Sequence, residues 1–134
     1  MVFARSAAAI AADFRVFPST ETTLLEARSG AFAGCISATA NLNADLCARA
    51  WRSGDAAALA AAVTIRKLFD GKQLVSGVKA LLAHIHGDAH WARVKPPLAA
   101  FPAADRTAVT TGYDEVRDPA VVASRVGART AQVG

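Results

Sequence analysis

The chain has 134 residues, 53% of them hydrophobic and 19% charged, which suits one soluble globular domain and excludes wholesale disorder. The formal charge is +4, but the 15 Lys and Arg are scattered among 11 acidic residues; with no helix-turn-helix, zinc-finger or aromatic single-strand signature, nucleic acid is not expected as a partner. No stretch approaches the roughly eighteen apolar residues of a membrane span, and Cys35 and Cys47 lack CxxC spacing, so they read as buried thiols of a reducing, cytoplasmic compartment.

Residues 4 to 12 favour a helix, and Asp13 ends their apolar run too early for a secretory signal. Phe14 to Phe17 alternates and is rich in β formers until Pro18 stops it, which predicts a short strand. Ser19 and Thr20 can cap a helix, Glu21 falls in its first turn where a negative charge is favoured, and Leu24, Leu25 and Ala27 form its apolar face before Gly30. Ala33 to Ala40 is apolar or small at nearly every position, the pattern of a strand buried on both faces of a parallel sheet.

Asn41 to Asn43 make a turn, and Asn43 can cap a helix through about Arg52. Ser53-Gly54 break it before a helix from Asp55 to Asp70, with Leu59, Val63, Ile65, Leu68 and Phe69 facing the core and Gly71 as a left-handed cap. Leu74 to His86 reads as an amphipathic helix ended by Gly87-Asp88. Lys95-Pro96-Pro97 is an extended turn. A weak helix from Ala103 to Thr111 follows, then another begun by Asp118-Pro119, and Gly127 to Gly134 is expected to be a loose tail.

Three stretches carry a family resemblance: Val16-Phe-Pro-Ser-Thr-Glu21, Gly30-Ala-Phe-Ala-Gly-Cys-Ile-Ser-Ala-Thr-Ala-Asn41, and Leu74 to Leu98 with its VKALLAHIHGD and VKPPL. In order and spacing they resemble the last third of class I aldolases of the dihydrodipicolinate synthase/N-acetylneuraminate lyase family. The resemblance implies an α/β, mostly helical fold: the C-terminal portion of a TIM (β/α)8 barrel, with its last two βα units and C-terminal helices. The whole chain, 1–134, would be a single partial domain. Residues 13–42 would hold the last two barrel strands, Arg15 to Pro18 and Gly34 to Ser37, paired in parallel around a helix from Thr20 to Ser29. Residues 43–126 would hold the last barrel helix and the helical extension, and 127–134 the tail.

Family chemistry is Schiff-base formation between a lysine amine and the carbonyl of pyruvate or a related 2-keto acid, the iminium acting as electron sink. The resemblance places that lysine, and an assisting tyrosine, upstream of this chain. The expectation is therefore a truncated lyase that is inactive alone and has no catalytic residue, cofactor or metal of its own. Substrate contacts carried over by position are Ile36, whose backbone would line the keto-acid pocket, Thr20 and Glu21, which would reach the distal part of the substrate, and Ser19, which departs from the glycine usual at the start of that loop. Ala38 stands where sialic-acid lyases carry a serine hydroxyl. The implied partners are a small 2-keto acid and either a second copy of the chain or a complementing barrel fragment. The alternative is a non-catalytic remnant or a small self-associating protein.

Other candidate chemistry is weaker. His84, His86, Asp88 and His90 are metal-ligand types, but His84 and His86 point to different sides of a helix and Gly87 intervenes; histidines at a helix C-terminus, favoured by its dipole, are the simpler reading. Ser37 and Thr39 lack a His and Asp arrangement that would make either a nucleophile, and Trp51 and Trp91 read as packing aromatics.

Overall fold

Pro18 decides the conformation of the first described segment. In this computed structural model, which describes residues 15–118, residues 16–18 lie beside residues 33–36, joined by Ala33 N–H to Val16 C=O (2.9 Å) and Ile36 N–H to Pro18 C=O (3.0 Å). A parallel ladder would need residue 18 to donate back between those two bonds, and proline has no N–H. The second bond comes from Ile36 where regular spacing would use Cys35, and Gly34, at a φ of 151° that favours glycine, takes up the extra residue.

The expected strands Arg15 to Pro18 and Gly34 to Ser37 therefore do not form. Among the described residues there is no strand and no sheet, so the class is helical. This overturns the α/β reading and the TIM-barrel portion, including the two barrel strands placed within 13–42. An apolar run does not by itself establish a strand, which needs ladder hydrogen bonds, and this run is not buried on both faces either, since Ile36 is exposed.

Tertiary contacts divide the chain between Arg66 and Lys67 into two compact units. In the first, the hydroxyl of Thr20 accepts from Thr22 N–H (3.3 Å) and opens a 3-10 turn, Glu21–Thr23, that runs into helix α1, Leu24–Arg28. The helix expected over Thr20 to Ser29 is thus only partly α-helical. Helix α2, Ala40–Ser53, buries Leu42, Leu46 and Ala50 on one stripe, and α1 lies against it. Arg28 ties the two together through Nε–H to Trp51 C=O (3.0 Å).

Helix α3, Ala56–Lys67, begins after Asp55, which accepts from Ala58 N–H (2.9 Å). That bond, and next the one from Arg49, hold the Asp55 carboxyl below its ordinary range. The buried face of α3 is Ala58, Ala62 and Ile65, so small side chains let neighbouring backbone come close.

The second unit is built on helix α4, Leu74–His86, bounded as the sequence predicts and ended by Gly87 at φ 63°. Against it lie a 3-10 turn, Ala89–Ala92, and helix α5, Ala103–Arg117. Gly77 is required by closeness: an added Cβ would sit 2.8 Å from the Phe69 ring and 3.0 Å from Phe101, both buried. Phe69, Val78, Ala80, Leu81, Phe101 and Val109 are the buried apolar side chains of this unit among the described residues. The helix expected at residues 4–12, the one begun by Asp118-Pro119 and the tail lie outside the described residues.

Candidate functional site

The first unit contains a fully buried acid. Glu21 opens the 3-10 turn and is completely removed from solvent, which is tolerable for a carboxylate only when hydrogen-bond donors replace water. Three do. Oε1 accepts from Thr39 Oγ1 and from Asn43 Nδ2 (3.3 Å), and Oε2 accepts from the Arg66 guanidinium (3.3 Å).

The hydrogens of this network can be placed by elimination. A carboxylate has none to give, so Thr39 donates to Glu21; the contact between Ser37 Oγ and Thr39 Oγ1 (2.9 Å) must then use the Ser37 hydrogen. Ser37 Oγ in turn accepts from the same Arg66 nitrogen (3.2 Å). A ring closes from Arg66 through Ser37 and Thr39 to Glu21 and back to Arg66. Both hydroxyl hydrogens are committed, and neither Ser37 nor Thr39 stands beside a free base.

Asn43 explains a second feature. Helix α2 is interrupted at this residue (φ −136°, ψ 24°), where both amide hydrogens are used, one on Glu21 and one on Ala62 C=O (3.1 Å), while Oδ1 accepts from the Cys47 thiol (3.3 Å). Asn43 does not start the helix as expected; it interrupts it and ties it to α3. Thr39, just before α2, gives its helix no side-chain cap because its hydroxyl serves Glu21. The half-buried Cys35 lies in the same field: burial foremost, and then the Glu21 charge, raise its thiol pKa, while Arg66 opposes them.

The loop residues singled out by resemblance are treated differently. Ser19 is exposed, Thr20 is half-buried, Glu21 faces inward, and Ile36 leaves 69% of its surface exposed. The Ile36 N–H bond to Pro18 C=O and the Glu21 contact with Thr39 bring the two loops side by side. Sequence reasoning missed Arg66 and the inward role of Asn43. For Arg66 a signal exists: it stands four residues after Ala62 on the buried face of α3, a charge in an apolar row that calls for a buried partner.

In the second unit the histidines go to separate neighbours. His84 Nε2 meets Asp114 (3.0 and 3.2 Å), His86 stacks on Trp91 with ring centres 5.3 Å apart, and His90 Nδ1 meets Asp88 (2.9 Å). Asp88 has a lowered carboxyl pKa, chiefly from the His90 backbone N–H. Among the described residues no three His, Cys, Asp or Glu side chains are grouped to hold a metal. Lys67 ends α3, Lys72 follows Gly71, Lys79 is on α4 and Lys95 precedes Pro96; Tyr113, on α5, accepts from Arg117 Nε–H (3.1 Å). No described helix is long and apolar enough to cross a membrane. Comparison with protein-family models, curated proteins and solved structures finds no match for this chain.

Proposed function

We propose that this chain carries substrate-facing loops of a class I aldolase similar to the dihydrodipicolinate synthase/N-acetylneuraminate lyase family, acting on pyruvate or a related 2-keto acid, and that it performs no Schiff-base chemistry alone. The observation that supports the reading is the pairing of the Ser19–Glu21 loop with the Ile36–Thr39 loop through the buried Glu21 carboxylate, with Ile36 left open to solvent. The reading rests on those loops and not on strand pairing. Thr20 would offer its hydroxyl to the distal part of a substrate, with Ser19 beside it, and the Ile36 backbone would line the keto-acid end.

Carbonyl activation by an amine needs a lysine held against the carbonyl, because positioning and covalent activation together supply most of the acceleration. Lys67 and Lys79 lie in helices and Lys72 and Lys95 in connecting segments, and none belongs to either loop. The test is borohydride trapping with pyruvate, read by intact mass and peptide mapping. The chain alone is expected to give no stoichiometric adduct. Mixed with the lysine-bearing N-terminal portion of a dihydrodipicolinate synthase, it is expected to yield one adduct, on the supplied lysine, above the level that portion gives by itself. A single-site adduct on the chain alone, or no gain on mixing, overturns the reading.

A further inference from the structure

Four alanines leave a cleft in the second unit that the aldolase reading does not use. Ala80, Ala83 and His84 lie on one face of α4, Ala89 and Ala92 come from the following 3-10 turn, and Arg106, Thr107 and Thr110 come from α5; together they line a cavity of about 350 Å³. That is near the lower end of the range of about 300 to 1,000 Å³ typical of small-molecule pockets. Larger side chains at the alanine positions would fill it.

The polar groups around the cleft are not equally free. Thr107 donates its hydroxyl hydrogen to Ala103 C=O (3.3 Å) and Thr110 donates to Thr107 C=O (3.1 Å), so both are engaged with their own helix. His84 is oriented by Asp114, and since a carboxylate only accepts, Nε2 carries the hydrogen in that contact. Arg106 differs: its guanidinium has no hydrogen-bond or ion-pair partner among the described residues, and no acidic side chain lines the cleft. A fixed fork of donors beside a floor of methyl groups selects for an anion, and for one with an apolar body.

We propose that this cleft binds a small monocarboxylate, Arg106 gripping the carboxylate in a forked contact and the alanine methyls of α4 and the 3-10 turn receiving a short branched chain. A second charge on the ligand would meet methyl groups and lose its hydration uncompensated. The site is independent of the loops around Glu21.

The experiment is an amide NMR titration of the full chain with sodium isobutyrate, with isobutyramide as the uncharged isostere and inorganic phosphate as an anion without an apolar body. Isobutyrate is expected to shift signals of residues 80–84, 89–92 and 106–110 saturably. Isobutyramide and phosphate are expected to bind at least about tenfold more weakly, as is isobutyrate to Arg106→Gln, the loss of a charged hydrogen bond. Arg106 is exposed and unpartnered, so that variant keeps its fold. Ala89→Leu, at another exposed position, fills the cleft and should abolish binding with the charge intact. Absence of saturable shifts, equal binding by phosphate or isobutyramide, or unchanged binding in Arg106→Gln overturns the proposal.

Discussion

Glu21 shows how much one buried charge organises. Without its donors the carboxylate would be too costly to bury, so its partners are drawn from the segment before α2, from the break in α2 and from the end of α3. Replacing Arg66 with Met leaves the acid short of its one cationic partner among the described residues. Because Arg66 is partly exposed and water can move in, a loss of about 2 to 3 kcal/mol is expected, somewhat less than for a wholly buried pair. The double variant Glu21→Gln/Arg66→Met should recover at least about 1 kcal/mol relative to the sum of the single variants. Urea unfolding of the four proteins measures this coupling, and strict additivity would show that the contact contributes nothing.

Cys35 reports on the same network from another direction. Its thiol is held above the ordinary range by burial and by Glu21, and Arg66 pulls the other way. Only the thiolate is alkylated. The midpoint of its labelling rate against pH should therefore lie above that of free cysteine, move down in Glu21→Gln and move up in Arg66→Met. Iodoacetamide labelling followed by peptide mass analysis gives the profile; shifts in the same direction in both variants would contradict this account.

At the scale of elements, closeness rather than turn geometry governs the helical glycines. Gly77 on α4 faces two buried aromatic rings, and a methyl there must displace Phe69 or Phe101. Overpacking should outweigh the helix-propensity gain of about 1 kcal/mol, so Gly77→Ala is expected to destabilise by about 1 to 2 kcal/mol. Gly112 on α5 meets one flexible, half-buried side chain, Leu68, whose tip would lie 2.6 Å from the new Cβ and can rotate away. Gly112→Ala should stay within about 0.5 kcal/mol of the parent because the same propensity gain offsets the adjustment. Denaturation midpoints compare the pair directly; equal losses would mean that rigidity of the neighbour does not matter.

At the scale of the whole molecule, the first unit leaves apolar side chains on neighbouring loop segments in water: Phe17 is 45% exposed and Ile36 69%. These segments share two backbone hydrogen bonds, and neighbouring exposed apolar groups are prone to recruit another chain. Self-association through this surface is the expected outcome, by sedimentation velocity over a range of concentrations. Ile36→Ser should shift the distribution toward monomer. A concentration-independent monomer for the parent chain would leave this surface without a partner in a second copy.

Local chemistry sufficed for part of the helical pattern: the apolar spacing of α4 and its Gly87 stop predicted Leu74–His86, and Thr20 was legible as a cap because a hydroxyl before a turn can satisfy a free N–H, whereas the start of α2 at Ala40 was not, since Asn43 turns inward instead of capping it. It did not suffice for the segments around Pro18 and Gly34, since an apolar run carries no record of which N–H groups will find acceptors, and the missing proline donor matters only once the two segments lie side by side. The same holds for the candidate site. Sequence marked Glu21 as a first-turn acid or a substrate contact and did not foresee that it turns inward; Arg66, 45 residues away, became its partner only through tertiary packing, because a buried carboxylate takes the donors that the fold brings within reach.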